Sequence, residues 1–376
     1  MTLPGRLWLV ATPVLAAAAV AVAATRAGVP SADPARTPAS PPHEAAVQTP
    51  TDTPTDSLTS VPGIRVGHHT LAERPTGCTV ILAPDRTVGG VDVAGGAPGT
   101  RETDLLEPEN TVQHVNAIVL SGGSAFGLAA ADGVMTWLAE HGIGYPITGG
   151  PVPIVPAAII FDLPIGDHPE IRPTAACGYA AAGAATSAPV AQGSVGAGAG
   201  ATIGKSFARG RGMKGGVGSA ALRTEGGLIV AALVVVNAVG SVVDPRTGQP
   251  VAGVRTADGL GLENPWDLVR RGITPASPAG GNTTLGVVAT NARLTKAEAR
   301  KVARMAQDGF ARAIVPSHTP SDGDTIFTLA TGQFEGAAST STVGSLAAEA
   351  ITDAILRAVR LATGLPGYPA VADLRR

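Results

Sequence analysis

The run Asn282-Thr283-Thr284 stands behind Gly280-Gly281 and in front of the apolar stretch Leu285 to Ala289. Of all places in the chain, its residue types and spacing come nearest to chemistry. Two ordinary roles fit it: a glycine turn that feeds a strand, and a glycosylation acceptor, because Asn-Thr-Thr satisfies N-x-[ST]. A third role is self-cleavage. A threonine hydroxyl held against the preceding carbonyl can attack it, move the acyl group from nitrogen to oxygen, and leave an ester for water. The product is an N-terminal threonine whose own α-amine, with an ordinary pKa of about 7.7 to 8.0, can act as general base for its hydroxyl. Thr283 is therefore a candidate nucleophile and Asn282-Thr283 a candidate cleavage junction.

Four further polar residues could serve such a site. Asp322 and Asp324 lie in Ser321-Asp322-Gly323-Asp324, which by composition is a turn and is too short for a calcium loop. Two carboxylates this close push one pKa upward and can share a proton or orient an amine. Lys205, among glycines, is either an exposed cation or a donor in a glycine-lined cleft. Asn237 sits near the end of an apolar run and must find partners if buried. Gly122-Gly123-Ser124 reads as a helix start with Ser124 as N-cap. Its spacing is neither G-x-G-x-x-G nor G-x-x-x-x-G-K-[ST], so no nucleotide cofactor is implied, and no G-x-S-x-G occurs. Without C-x-x-C or clustered His and Cys, no zinc site is expected. Cys78 and Cys177 read more readily as two separate buried thiols than as a bridge.

The elements that must position these residues follow from pattern. Residues 63–67, 78–82 and 115–120 are β-prone, and the last leads through SGGSAF into an amphipathic helix ended at Gly142. Residues 153–163 are apolar and proline-limited to strand or loop. The glycine-rich tract 193–220 interleaves Val, Ile, Lys and Met, which implies tight turns and backbone approach inside a fold. Residues 228–239 are too rich in Val for a helix and predict a central strand ending near Asn237. Another strand follows over TTLGVVATN, then a helix opened by a Thr295/Glu298 capping box, a strand over 325–331 and a helix over 342–361. Strands and helices in this mixed order imply layered sheets covered by helices, an α/β arrangement.

Composition sets the remaining bounds. The chain has 376 residues with hydrophobic content of 44% but aromatic content of only 3%, so its core must be Val, Ile, Leu and Ala packed closely. A net charge of -2 offers no basic face, and nucleic acid is not an expected partner. Residues 1–27 carry Arg6, an apolar run and an Ala-Val-Ala site, the pattern of a secretion signal or, given the length of the run, a membrane anchor. Residues 28–57 are rich in Pro, Thr, Ala and Ser and read as a disordered tether. The protein is thus expected to be exported, either secreted or held at the cell envelope, with one folded domain over 58–376.

Taken together, VPGIRVGHHT, TGCTVILAP, VNAIVLSGGSAFGLAAADGVMTWLAEHGIGYP, VPIVPAAIIFDL, GSVGAGAGATIGK, VVVNAVG, GNTTLGVVATNA and SDGDTIFTLATG resemble the DmpA-type L-aminopeptidase/D-esterase family. That family includes β-peptidyl aminopeptidases and the nylon-oligomer endohydrolase. The likeness runs from Val61 to the C-terminus. It implies a four-layer αββα sandwich akin to N-terminal-nucleophile hydrolases, cut into chains 58–282 and 283–376 and assembled as a homotetramer. It implies a small peptide or amide substrate and no metal or cofactor. By the same likeness Thr283 is the nucleophile and Asn237 positions it or stabilises an oxyanion. Lys205 bonds near the scissile carbonyl, and Asp322 and Asp324 orient the α-amine.

Two departures bear on specificity. The aminopeptidase branch begins its small chain with Ser and has a Ser/Glu pair where this chain has Asp322 and Asp324, so the sequence looks more like the nylon-oligomer branch. A tyrosine that assists in some members falls near Phe161 here. The competing readings are an ornithine acetyltransferase-like enzyme, which would carry an Ala-Thr-Met-Leu type junction, and an uncut, surface-tethered binding module.

Overall fold

The computed structural model describes residues 56–205, 207, 210–272 and 281–374. The signal or anchor over 1–27 and the tether up to residue 55 lie outside these. Asp56 and Ser57, which composition assigns to the tether, belong to the fold. Ser57 is buried and its Oγ takes the Val190 N–H at 3.1 Å, because the first 3₁₀ turn, Leu58–Ser60, docks on the sheet below it.

In chain order the first half contains β1 (Arg65–Thr70), β2 (Gly77–Leu82), β3 (Val88–Val93), β4 (Thr100–Arg101), β5 (Ala117–Ser121), α1 (Ala130–Glu140), β6 (Ala157–Ile159) and α2 (Ala175–Gly183). The short strands β7 (Thr202–Ile203) and β8 (Met213–Lys214) then lead to β9 (Gly216–Arg223) and β10 (Ile229–Asn237). Next come β11 (Ser241–Asp244), β12 (Gln249–Ala252) and α3 (Pro265–Arg270). The last part holds β13 (Thr283–Thr290), α4 (Lys296–Ala313), β14 (Ile314–Val315), β15 (Thr325–Ala330) and α5 (Thr340–Arg360).

Two five-stranded sheets form the middle of the molecule, ordered β1-β2-β5-β6-β4 and β3-β15-β13-β10-β9. Their facing sides share one core, with Ile81, Ile118 and Leu120 from the first sheet and Leu233, Val235, Leu285, Val287 and Phe327 from the second. The outer face of the first sheet packs Val80 and Val119 against Val134, Leu138 and Ala181 of α1 and α2. The outer face of the second packs Val230, Ala232, Val234 and Val236 against Val302 and Phe310 of α4 and Ile351 and Ile355 of α5. The layers therefore run helix, sheet, sheet, helix, as the sequence implies. Strand β10 shows why: every residue is buried, and alternate side chains enter the two cores in turn, so a near-continuous apolar run is what a doubly covered strand requires.

Local signals set the covering helices. Thr295 and Glu298 form the expected capping box at the start of α4, and Ser339 caps α5 by accepting the Thr342 N–H. The glycine-rich tract folds into a 3₁₀ turn and strands β7 to β9, with Gly218 directly beneath α5. In two places the structure departs from the sequence reading. Gly123, in the left-handed region at φ 84°, occupies the cap position of a short 3₁₀ helix, Ser124–Ala129, that precedes α1; Ser124 makes no cap bond. The Ser124 N–H goes instead to the Ile160 carbonyl, which ties this turn to the segment after β6. Cys78 and Cys177 are joined by a disulfide linking β2 to α2, because the α2 layer sits directly on β2, a proximity that sequence spacing does not reveal.

A methyl group on Gly218 would lie 1.9 Å from the Ala354 carbonyl oxygen of α5. Gly218→Ala is therefore expected to push α5 off the sheet and cost about 1–3 kcal/mol, read as a lower urea midpoint with an unchanged slope.

Candidate active site

Strand order decides what meets Thr283. Strand β13 lies between β10, to which it is antiparallel, and β15, to which it is parallel. The start of β13 is therefore flanked by the end of β10 and by the approach to β15. In register, Asn237 opposes Thr283, and Asn282 forms a parallel bridge with Asp322. Residues that are 46 and 40 apart from their neighbours in sequence thus share one sheet end, all of them buried.

The Asn282 carbonyl oxygen is held from two sides. The Thr283 Oγ1 donates to it at 2.5 Å and the Gly323 backbone N–H donates at 3.0 Å. Gly323 has to be glycine, since a Cβ there would come within 2.6 Å of the Thr283 Oγ1. The two aspartates brace the strand rather than touching Thr283 itself. Asp324 Oδ1 accepts the Thr284 N–H at 2.7 Å, while Oδ2 accepts both the N–H and the Nδ1 of His318, at 3.0 and 2.9 Å. Asp322 Oδ2 accepts the N–H and hydroxyl of Thr319, and Oδ1 accepts the Val239 N–H. Burial, together with the neighbouring Asp324 charge, pushes the Asp322 carboxyl well above its ordinary range.

Asn237 links this sheet end to Lys205. Its Oδ1 accepts from the Thr202 N–H at 3.0 Å and from Lys205 Nζ at 2.8 Å, and its Nδ2 donates to the Phe161 carbonyl at 3.2 Å. Position 161 thus contributes a backbone oxygen and no hydroxyl. Lys205 also donates to Thr202 Oγ1 at 2.9 Å. Burial lowers its pKa to about 7, against the opposing pull of Asp162 and Asp322, although the residue as a whole is only half-buried. The sequence thus named six residues of this cluster, and the structure brings Asn282, Thr283, Asn237, Asp322, Asp324 and Lys205 to one end of the second sheet. A lysine near neutrality, a polarised carbonyl and an adjacent hydroxyl can carry proton transfer and acyl transfer. Among the described residues no group of three or more His, Cys, Asp or Glu side chains could hold a metal ion.

Sequence reasoning missed the charges behind the cluster. Asp162 is fully buried, paired with the buried Arg74 at 3.0 Å, and accepts from Thr76 Oγ1 and the Gly123 N–H. Lys214 is fully buried as well, donates to the Gly198 and Gly215 carbonyls, and has its pKa lowered by burial to about 7. The signal for Asp162 was present, because a lone carboxylate in an apolar stretch must find a cation. For Lys214 and His318 the chain offered only a lysine among glycines and a histidine in a turn.

A layered αββα fold with this constellation at the end of its inner sheet defines a hydrolase-type architecture. The family model described as peptidase family S58 matches residues 56–371, and the chain belongs to that family of peptidases and amidohydrolases. It is 47% identical over 343 residues to an uncharacterized aminopeptidase of Mycobacterium leprae, covering 83% of this chain and 92% of that protein. It is 32% identical over 319 residues to the 6-aminohexanoate-oligomer endohydrolase of Kocuria sp., covering 80% and 84%. Among solved structures, the L-aminopeptidase D-Ala-esterase/amidase of Ochrobactrum anthropi, described as a variant of the Ntn hydrolase fold, matches with a TM-score of 0.62 at 20% identity over 86% of this chain and 92% of that one. The shared fold extends to a Burkholderia sp. β-aminopeptidase, with a TM-score of 0.61.

Lys214 makes stability depend on pH. Its folded pKa of about 7 lies below the unfolded value of about 10.4, so between these the unfolded chain binds more protons and stability rises with pH. Lys214 can contribute up to about 1.4 kcal/mol per pH unit to that slope. Urea midpoints measured from pH 7 to 10 are expected to rise, and less steeply in Lys214→Met.

Proposed function

We propose that this protein is an exported, self-processing amidohydrolase in which Thr283 severs the chain behind Asn282 and then hydrolyses small peptide or amide substrates. The observation that carries this reading is the double hold on the Asn282 carbonyl oxygen by the Thr283 hydroxyl and the Gly323 N–H. In the first reaction Thr283 Oγ1 attacks the Asn282 carbonyl carbon while the Gly323 N–H carries the developing oxyanion. Collapse breaks the C–N bond, the hydroxyl proton passes to the leaving nitrogen, and an ester remains on Oγ1. Water then releases the Asn282 carboxylate. The freed α-amine of Thr283 serves as base for later turnovers, each through an acyl-threonine, with Lys205 and Asn237 beside the reacting centre. Asp322 and Asp324 hold the strand end from which the amine projects. No step calls on a metal or cofactor.

The substrate class rests on the relatives, one named an uncharacterized aminopeptidase and one a 6-aminohexanoate-oligomer endohydrolase, names that both point to a small peptide or amide substrate. Export is supported by the signal-like residues 1–27, which leave the chain either secreted or membrane-tethered, and by the Cys78–Cys177 disulfide, which suits an oxidising compartment. A homotetramer is the assembly inferred from the family likeness.

Intact masses of the chain from residue 56 onward test the reading. The expected result is two chains parting before Thr283, with Thr283→Ala remaining whole and inactive on a panel of amino-acid amides, β-peptides and 6-aminohexanoate oligomers. A wild-type chain still intact after long incubation at several pH values would falsify self-processing and favour a binding module. Gly323→Ala is expected to slow chain cleavage by about 10²-fold, because the added methyl displaces the hydroxyl from the carbonyl it must attack.

A further inference from the structure

His318 has no role in any step above, yet its geometry ties it to the reacting strand. It sits in the left-handed region at φ 56°, which few residues other than glycine enter and histidine enters more readily than most. That backbone turn aims both its N–H and its Nδ1 at one oxygen of Asp324, at 3.0 and 2.9 Å. The other Asp324 oxygen accepts the N–H of Thr284, the residue after the candidate nucleophile, at 2.7 Å. On its far side the imidazole meets α4, where it tilts against the Phe310 ring at 5.9 Å between centroids, and Nε2 lies towards the Gln307 carbonyl outside normal hydrogen-bond geometry. The chain of contacts runs from a core helix through His318 and Asp324 to the backbone beside Thr283.

We propose that His318 is a positioning residue for self-cleavage: by clamping Asp324 it fixes the start of β13 and so holds the Thr283 hydroxyl on the Asn282 carbonyl. The inference rests on the self-processing reading. Two bonds to one carboxylate oxygen leave the other free to meet Thr284, and a rotated Asp324 would release the first backbone N–H that registers β13 beside the site. Charge enters as well. Burial works against its charge, but Asp324, by hydrogen bond and charge, Asp322 and the Gln307 carbonyl together outweigh burial and lift its pKa above the ordinary value. A protonated His318 offsets the Asp324 charge beside a carbonyl that must become negative. Losing that proton as pH rises leaves the charge of the two nearby carboxylates uncompensated while the oxyanion develops, so the rate falls relative to a variant that cannot titrate.

The test compares cleavage rates, by intact mass, of wild type, His318→Ala, His318→Gln and His318→Asn across pH 5.5 to 9. An asparagine amide can reach the position of Nδ1, whereas a glutamine amide mimics Nε2. The expected result is a loss of about 10-fold to 100-fold in His318→Ala and His318→Gln, with substantial rescue in His318→Asn. The ratio of the wild-type rate to the His318→Asn rate is expected to fall as pH rises. Should His318→Ala not fold, the Asn and Gln variants decide the matter alone. Wild-type cleavage with equal rates in all soluble variants, or with Asn no better than Gln and a flat ratio, overturns the role of His318 while leaving self-processing intact. A wild-type chain that never cleaves overturns both.

Discussion

The pairing of β13 with two neighbours of opposite direction is the constraint on which the site depends. An antiparallel partner brings its last residue, Asn237, beside the first residue of β13, and a parallel partner brings the residues just before its own start. Reversing either partner would carry its site residues to the far end of β13. Because side chains alternate along a strand, a slip of one residue would turn Thr283 to the other face of the sheet and expose the wrong side of β10 to each core. Because β10 is apolar on both faces, polarity alone does not set its register; the polar residue at its end, Asn237, anchored to Thr202, Lys205 and the Phe161 carbonyl, does.

Burial then gives those residues their chemistry. Lys205, Lys214, Asp162 and Asp322 lie in or beside a region walled by valine, alanine and glycine backbone, where a charge has little water to lean on. The cost is limited by pairing and by hydrogen bonds from backbone carbonyls and amides, so each group remains hydrogen-bonded, while burial moves the pKa values of the two lysines and of Asp322 towards neutrality. A cluster of this kind is suited to proton transfer near pH 7 without a bound metal being required by its donor set. It also explains why Asp162 and Arg74 are placed behind the site: their pair pins the turn after β5, and the Asp162 carboxylate pulls the pKa values of Lys205 and Lys214 upward against burial.

Few aromatic side chains mean that the layers must approach through small residues. Gly218 beneath α5 and the Ala-rich faces of the helices let backbone meet backbone, which makes the sheet and its covering helices rigid against each other. Such a scaffold is suited to holding a hydroxyl at 2.5 Å from a carbonyl oxygen. The likeness to solved structures of low identity shows the same logic, in which the layered fold persists while most side chains differ.

The sequence by itself determined the strands and helices, because valine-rich runs, the Thr295/Glu298 box and glycine stops are local signals that each element needs to form. It also exposed Asn282-Thr283, since a hydroxyl next to its own target carbonyl is a property of adjacent residues. The tertiary structure alone decided the rest. His318 and the Gly323 N–H became part of the site, and Lys214 its neighbour, through strand order and helix packing, and the residues next to them in the chain do not assign them those roles. Ser124 lost its cap role because Gly123, in the left-handed region and held by the distant Asp162 carboxylate, takes the cap position one residue earlier. The Cys78–Cys177 bond joined two segments 99 residues apart, a proximity set by how α2 sits on the first sheet. Interactions that span the fold depend on register and layer contact, and those are properties of the assembled chain.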